Sequence, residues 1–177
     1  MYEDEHLNDQ AFSKKAYALA EELGALLKAR NLMLTLAESC TGGMVAETIT
    51  SVAGSSAWFD CGFVTYSNQS KMDLLKVLSQ TLETHGAVSE AVAAEMASGC
   101  LNRIACNRNS AYIVGSITGI AGPDGGTAEK PVGTVCFACL GLNFPVKTQT
   151  RIFSGNRQQI RQQATVFLLQ SLIKNLL

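Results

Sequence analysis

From Ala111 to Thr118 the chain reads Ala-Tyr-Ile-Val-Gly-Ser-Ile-Thr, an almost unbroken apolar run of strand length. A strand that is apolar on both faces must be covered on both, which is the place of an inner strand in an α/β sheet. Leu32 to Ala37 has the same character. Around these runs hydrophobic residues recur at helical spacing. Over Asp9–Arg30 they form one stripe of Ala16, Leu19, Ala20, Leu23, Leu26 and Leu27.

The remaining elements alternate in the same way. A helix is expected over Thr41–Val52, and the turn Ala53–Ser56 leads into a strand over Phe59–Tyr66. Asn68 is placed to cap a helix over Gln69–Val77, and Ser89 to cap another, with Val92, Met96 and Ile104 on one face through Ala105. Thr134–Leu140 and Val146–Phe153 read as paired strands joined at Gly141–Pro145. Asn156 caps a last helix that turns Ile160, Ala164, Phe167, Leu168 and Leu172 inward. This order predicts an α/β fold: a single-domain three-layer α/β/α sandwich with a mixed, mostly parallel sheet. It spans residues 9–177 behind a flexible N-terminus, 1–8.

Composition narrows the function. A chain of 177 residues with 47% hydrophobic and 16% charged residues has enough apolar mass for one ordinary core. A net charge of −1 leaves no electrostatic footprint for nucleic acid or an anionic membrane, so neither is expected as a partner. No apolar run approaches the roughly 18 residues of a membrane span. The acidic start Met-Tyr-Glu-Asp-Glu-His is the reverse of a signal peptide, which makes cytoplasm the expected location. The apolar end, Leu172-Ile173-Lys174-Asn175-Leu176-Leu177, would need cover, and a homodimer is expected on that ground.

Six cysteines (Cys40, Cys61, Cys100, Cys106, Cys136 and Cys139) do not read as a disulfide framework in so long a chain. Cys136-Phe-Ala-Cys139 has redox or zinc spacing. Inside a strand, however, residues three apart face opposite sides, so core packing is the better account. With His6 and His85 the only histidines, no metal and no cofactor are expected.

Three loops that follow strands carry polar and glycine residues beyond what a connection requires. Glu38 to Gly43 places a hydroxyl, a thiol and two glycines where a strand turns into a helix. Backbone amides there attract negative charge and can stabilise an oxyanion, although Ser39 or Thr41 could simply cap the helix. Tyr66-Ser67-Asn68-Gln69-Ser70-Lys71 puts a lysine in the first turn of a helix, where the macrodipole opposes its charge. A lysine kept neutral can be a general base, and a lysine at the surface would need no role. Thr118-Gly119-Ile120-Ala121-Gly122-Pro123-Asp124-Gly125-Gly126, closed by Lys130-Pro131-Val132-Gly133, exposes amides suited to a phosphate or carboxamide. It matches neither a Walker nor a dinucleotide-binding spacing. In a parallel arrangement the three loops meet at one sheet edge. A serine without a histidine partner needs another base, and serine–lysine pairs are one solution. Cys40, beside Ser39, competes as the nucleophile because a helix N-terminus lowers a thiol pKa.

Six segments in this order resemble one family: Glu38-Ser39-Cys40-Thr41-Gly42-Gly43, Gly54-Ser55-Ser56, Tyr66-Ser67-Asn68-x-x-Lys71, His85-Gly86-Ala87-Val88-Ser89, Thr118 to Gly126 and Lys130 to Val135. They are similar to those of the CinA C-terminal domain family over about residues 10 to 175. The resemblance implies hydrolysis of the carboxamide of nicotinamide mononucleotide to nicotinate mononucleotide and ammonia, in pyridine-nucleotide recycling. It maps the nucleophile onto Ser39 and the base onto Lys71, with Tyr66 positioning the lysine or the ring. Thr41, Gly42, Gly43, Thr118, Gly119 and Gly122 would surround the substrate, and Arg157 would meet its phosphate. A non-catalytic nucleotide-binding module, or an inactive relative, would keep the glycine loops without turnover.

Overall fold

The structure is a computed structural model that describes residues 9–105, 111–141 and 144–177. The expected flexible N-terminus (1–8), Cys106 and part of the expected turn over 141–145 lie outside them. Helix α1 (Asp9–Ala29) precedes β1 (Leu32–Glu38), α2 (Met44–Thr50) and β2 (Phe59–Val64). Then come α3 (Asn68–Leu75), α4 (Ser79–His85), α5 (Glu90–Ala105), β3 (Ala111–Gly119), β4 (Thr134–Gly141), β5 (Phe144–Ile152) and α6 (Arg157–Leu176).

The five strands form one sheet in the order β2-β1-β3-β4-β5. The β1–β2 and β1–β3 pairings are parallel, and β3–β4 and β4–β5 antiparallel. Only β4 therefore runs against the rest, which is the mixed, mostly parallel sheet expected. The two runs that are apolar on both faces, β1 and β3, lie side by side at its centre. In α/β sheets that position is buried from both sides.

Alternation along the strands feeds two cores. Leu34, Leu36, Ile113, Ile117 and Phe137 pack on one face under α1, α2 and α6. Ala37, Val114, Cys136 and Ala138 pack on the other under α5, with Leu75 and Leu82 from α3 and α4. Cys136 and Cys139 fall in different cores, so their spacing brings no two thiols together. Cys40, Cys100, Cys136 and Cys139 carry free thiols.

Gly99 sets how closely α3 approaches α5. A Cβ at that position would lie 1.7 Å from the Leu75 carbonyl oxygen, so only glycine lets the end of α3 settle there. That docking holds the helix that carries Lys71.

Three expectations change. Helix α4 was not anticipated, because Ser79–His85 is polar and buries only Leu82. Ser67, not Asn68, caps α3: its hydroxyl accepts from the Ser70 amide, and the Ser70 hydroxyl accepts from the Ser67 amide in return. Finally, Leu172, Ile173 and Leu176 are buried within the chain itself, with only Leu177 left exposed at 84%. The reason for expecting a dimer is thereby removed. Among the described residues no helix is long and apolar enough to cross a membrane.

Candidate active site

Because β1, β2 and β3 are parallel, their carboxyl ends share one edge of the sheet. The three loops that leave them converge there around a cleft of about 270 Å³. Ser39 and Cys40 arrive from β1, Tyr66, Asn68 and Lys71 from β2 and α3, and Thr118 to Gly122 from β3. Arg157 closes it from the first turn of α6.

Lys71 is 1% exposed, and no carboxylate lies within ion-pair distance of it among the described residues. Its Nζ sits 2.9 Å from Ser39 Oγ, 2.7 Å from the Thr65 carbonyl oxygen and 3.5 Å from that of Tyr66. Strand β2 ends at Val64, two residues earlier than expected, and this turns those two carbonyls toward the amine. A neutral lysine has two N–H donors and one lone pair. With the N–H groups directed at the carbonyls, the lone pair is left for the Ser39 hydroxyl proton. Burial pulls the Lys71 pKa down from 10.5 to about 8. Desolvation favours the uncharged amine, so its cause is the packing around the lysine rather than the helix terminus.

Cys40 is also buried, and burial acts on it the opposite way. Desolvation, with the Glu38 charge added, pushes its thiol up to about 12. A thiol in that state supplies almost no thiolate near neutrality, and the expected helix-terminus activation of Cys40 is absent.

The reason is Glu38. Its carboxylate, 1% exposed at the end of β1, accepts from the Gly43, Val45 and Ala46 amides at 3.0, 3.2 and 2.8 Å. The free amides at the start of α2 are thus taken by a side chain inside the motif, and neither Ser39 nor Thr41 caps that helix. The Gly42 amide donates to the Ser39 carbonyl. Among the described residues the Cys40 and Thr41 amides have no protein acceptor. Of these the Cys40 amide, on the cleft wall, can receive developing negative charge, whereas Thr41 is fully buried. A carboxylate at the end of an apolar strand, directly before a glycine turn, was the signal for this cap.

Other expected residues are sorted by the structure. Thr118 and Gly119 line the cleft, and the Thr118 hydroxyl donates to the Ala87 carbonyl at 2.9 Å. Gly122 lines it too, and its carbonyl accepts from Arg157 at 2.7 Å. Thr41, Gly42 and Gly43 are not on its wall. Thr41 is fully buried, its carbonyl accepts from Arg161 at 2.6 Å, and its hydroxyl has no partner among the described residues. Gly42 and Gly43 serve by their left-handed conformation, φ 61° and 96°, which makes the turn.

Tyr66 is 61% exposed, and its side chain is not on the lysine. Its hydroxyl accepts from Arg157 at 2.8 Å. Arg157 is thus oriented by a phenol and a carbonyl, with no carboxylate in ion-pair range among the described residues, and its charge is free for an anion. Wall residues that the sequence reading gave no such place include Ala87, Val88 and Asp124.

The chain is similar to known proteins along most of its length. The family model described as CinA C-terminal domain matches residues 16–176. Nicotinamide-nucleotide amidohydrolase PncC of Enterobacter agglomerans is 53% identical over 161 residues, covering 91% of this chain and 95% of that protein. The protein of the same name from Escherichia coli (strain K12) is 53% identical over 154 residues, 87% of this chain and 90% of that one. The crystal structure of competence/damage inducible protein CihA from Agrobacterium tumefaciens superposes with a TM-score of 0.84 at 41% identity, covering 90% of this chain and 94% of that one.

Proposed function

We propose, from the premise that this chain belongs to the CinA C-terminal domain family, that it is an amidohydrolase converting nicotinamide mononucleotide to nicotinate mononucleotide and ammonia by a serine–lysine mechanism. The substrate assignment is supported by relatives of that name at 53% identity over most of both chains. One observation carries the mechanism: a buried amine with no counter-ion among the described residues lies 2.9 Å from the hydroxyl of a serine on the cleft wall.

In the first step neutral Lys71 accepts the Ser39 proton while Oγ attacks the carboxamide carbon. The Cys40 amide, on the cleft wall, faces the oxyanion, and such a donor contributes on the order of 3 kcal/mol to a transition state of this kind. The Lys71 ammonium then returns its proton to the departing nitrogen, and ammonia leaves. Water, deprotonated by the same lysine, hydrolyses the acyl ester and releases nicotinate mononucleotide.

Arg157 pairs with the phosphate, and Tyr66 holds Arg157 rather than the base. Residues 9–177 form the catalytic unit. The product feeds NAD recycling in the cytoplasm. The experiment is ammonia release measured with nicotinamide, its riboside and its mononucleotide in parallel. Turnover is expected to be most efficient with the mononucleotide; release from none of them would refute the assignment.

A further inference from the structure

Two of the segments that carry the family resemblance, His85–Ser89 and Lys130–Val135, have no part in the chemistry above. In the folded chain they touch through one side chain. The Lys130 Nζ donates to the His85 carbonyl at 2.7 Å and to the Val88 carbonyl at 2.8 Å. Among the described residues no carboxylate lies within ion-pair range of it. An ammonium that could stay in water spends its charge instead on two backbone carbonyls, and such charge-assisted bonds are the stronger kind.

Both ends of this tie are fixed. On one side, Lys130 sits in a reciprocal turn in which its amide donates to Thr127 Oγ1 at 3.0 Å and the Thr127 amide donates to its carbonyl at 2.9 Å. On the other, His85 is the last residue of α4, where carbonyls lack helical partners. Gly86, at φ 72°, then swings the chain toward the cleft. A Cβ at residue 86 would come 3.7 Å from the lysine nitrogen. Of the two carbonyls between those that Lys130 holds, that of Ala87 is taken by Thr118 on the cleft wall. Three carbonyls of one short segment are therefore held by the end of β3 and the loop after it, and Ala87 and Val88 form part of the wall of the cleft.

We infer that Lys130 is a positioning residue for substrate binding: it seats residues 85–88 as one wall of the cleft and so sets affinity for the nucleotide without touching the reacting atoms. This rests on the proposed activity for its assay, and its expected signature is a split between KM and kcat. Steady-state ammonia release from nicotinamide mononucleotide should show KM for Lys130→Met raised about 10-fold or more, with kcat within about threefold of wild type. Its melting temperature should stay within a few degrees of the wild-type value. Lys130→Arg, whose guanidinium can also donate to two carbonyls, should recover most of the affinity.

An unchanged KM, a fall in kcat alone, or a Lys130→Met protein unfolded at the assay temperature would each overturn the inference, the last by assigning the residue to fold stability. Wild-type protein that releases no ammonia would defeat the activity assignment instead. In that case calorimetric Kd values for the same nucleotide, wild type against Lys130→Met, still decide the role of Lys130.

Discussion

The Lys71 amine lies 2.9 Å from the Ser39 hydroxyl across 32 positions of sequence, buried and without a counter-ion among the described residues. Burial disfavours the charged amine, and in the neutral form both N–H groups and the lone pair have partners. In the proposed mechanism packing supplies the base, and the base takes the hydroxyl beside it rather than the thiol next along the chain.

The first consequence is a pH profile. With the Lys71 pKa lowered to about 8, the reactive neutral form is a minority at pH 7 and grows as pH rises. The ratio kcat/KM should climb tenfold per pH unit well below 8 and level off above it, since this ratio reports the free enzyme. Stopped-time ammonia assays from pH 6 to 9 check it; a profile flat across that range would show that no such base is titrating.

The same shift has a signature in stability. Between about 8 and 10.5 the unfolded lysine holds a proton that the folded one has lost, so folding stability rises with pH in that window. Buried thiols oppose this above pH 9, because Cys40, Cys100 and Cys139 are pushed up to about 12. Lys71→Met removes the lysine contribution alone. Denaturant unfolding should show the advantage of Lys71→Met over wild type shrinking between pH 7 and 9.

Glu38 binds three amides of the nucleophile turn. Glu38→Ala should cost about 2 kcal/mol or more, from a lost cap and unsatisfied buried donors. In a chain of this size that is roughly 4–8 °C in Tm. Calorimetry gives the Tm, and kcat should fall with it because the turn that presents Ser39 loses its anchor.

Arg157 should read the phosphate. Arg157→Ala is expected to raise KM for the mononucleotide about 10- to 100-fold, the scale of a charge-assisted hydrogen bond, and to leave the riboside unaffected. Tyr66→Phe removes one of the two groups that orient the guanidinium and should have a smaller effect of the same kind. Paired kinetics on the two substrates measure both.

Much of this architecture was legible because burial writes itself into composition. Strands β1 and β3 are apolar on both faces, and α1 and α6 carry apolar stripes, so the layers and the shared loop edge could be read directly. Polar segments concealed the rest. Helix α4 buries one leucine, and the neighbouring serine and asparagine at the start of α3 are both good caps, so Ser67 was passed over. Ser39, Lys71, Thr118, Gly119, Gly122 and Arg157 did converge on one cleft, whereas Thr41, Gly42 and Gly43 shape the turn from behind it. What Lys130 does depends on which backbone groups the fold brings to it, and those partners have no mark in the sequence.

The central claim is that Ser39 and Lys71 act as one catalytic unit, and the most direct measurement is ammonia release from nicotinamide mononucleotide by Ser39→Ala, Lys71→Ala and the double variant. Each single change should lower kcat by about 10³ or more, and the double variant should be no worse than either alone, because groups that act together do not lose activity additively. Turnover within tenfold of wild type in either folded single variant, or losses that multiply in the double variant, would contradict the account.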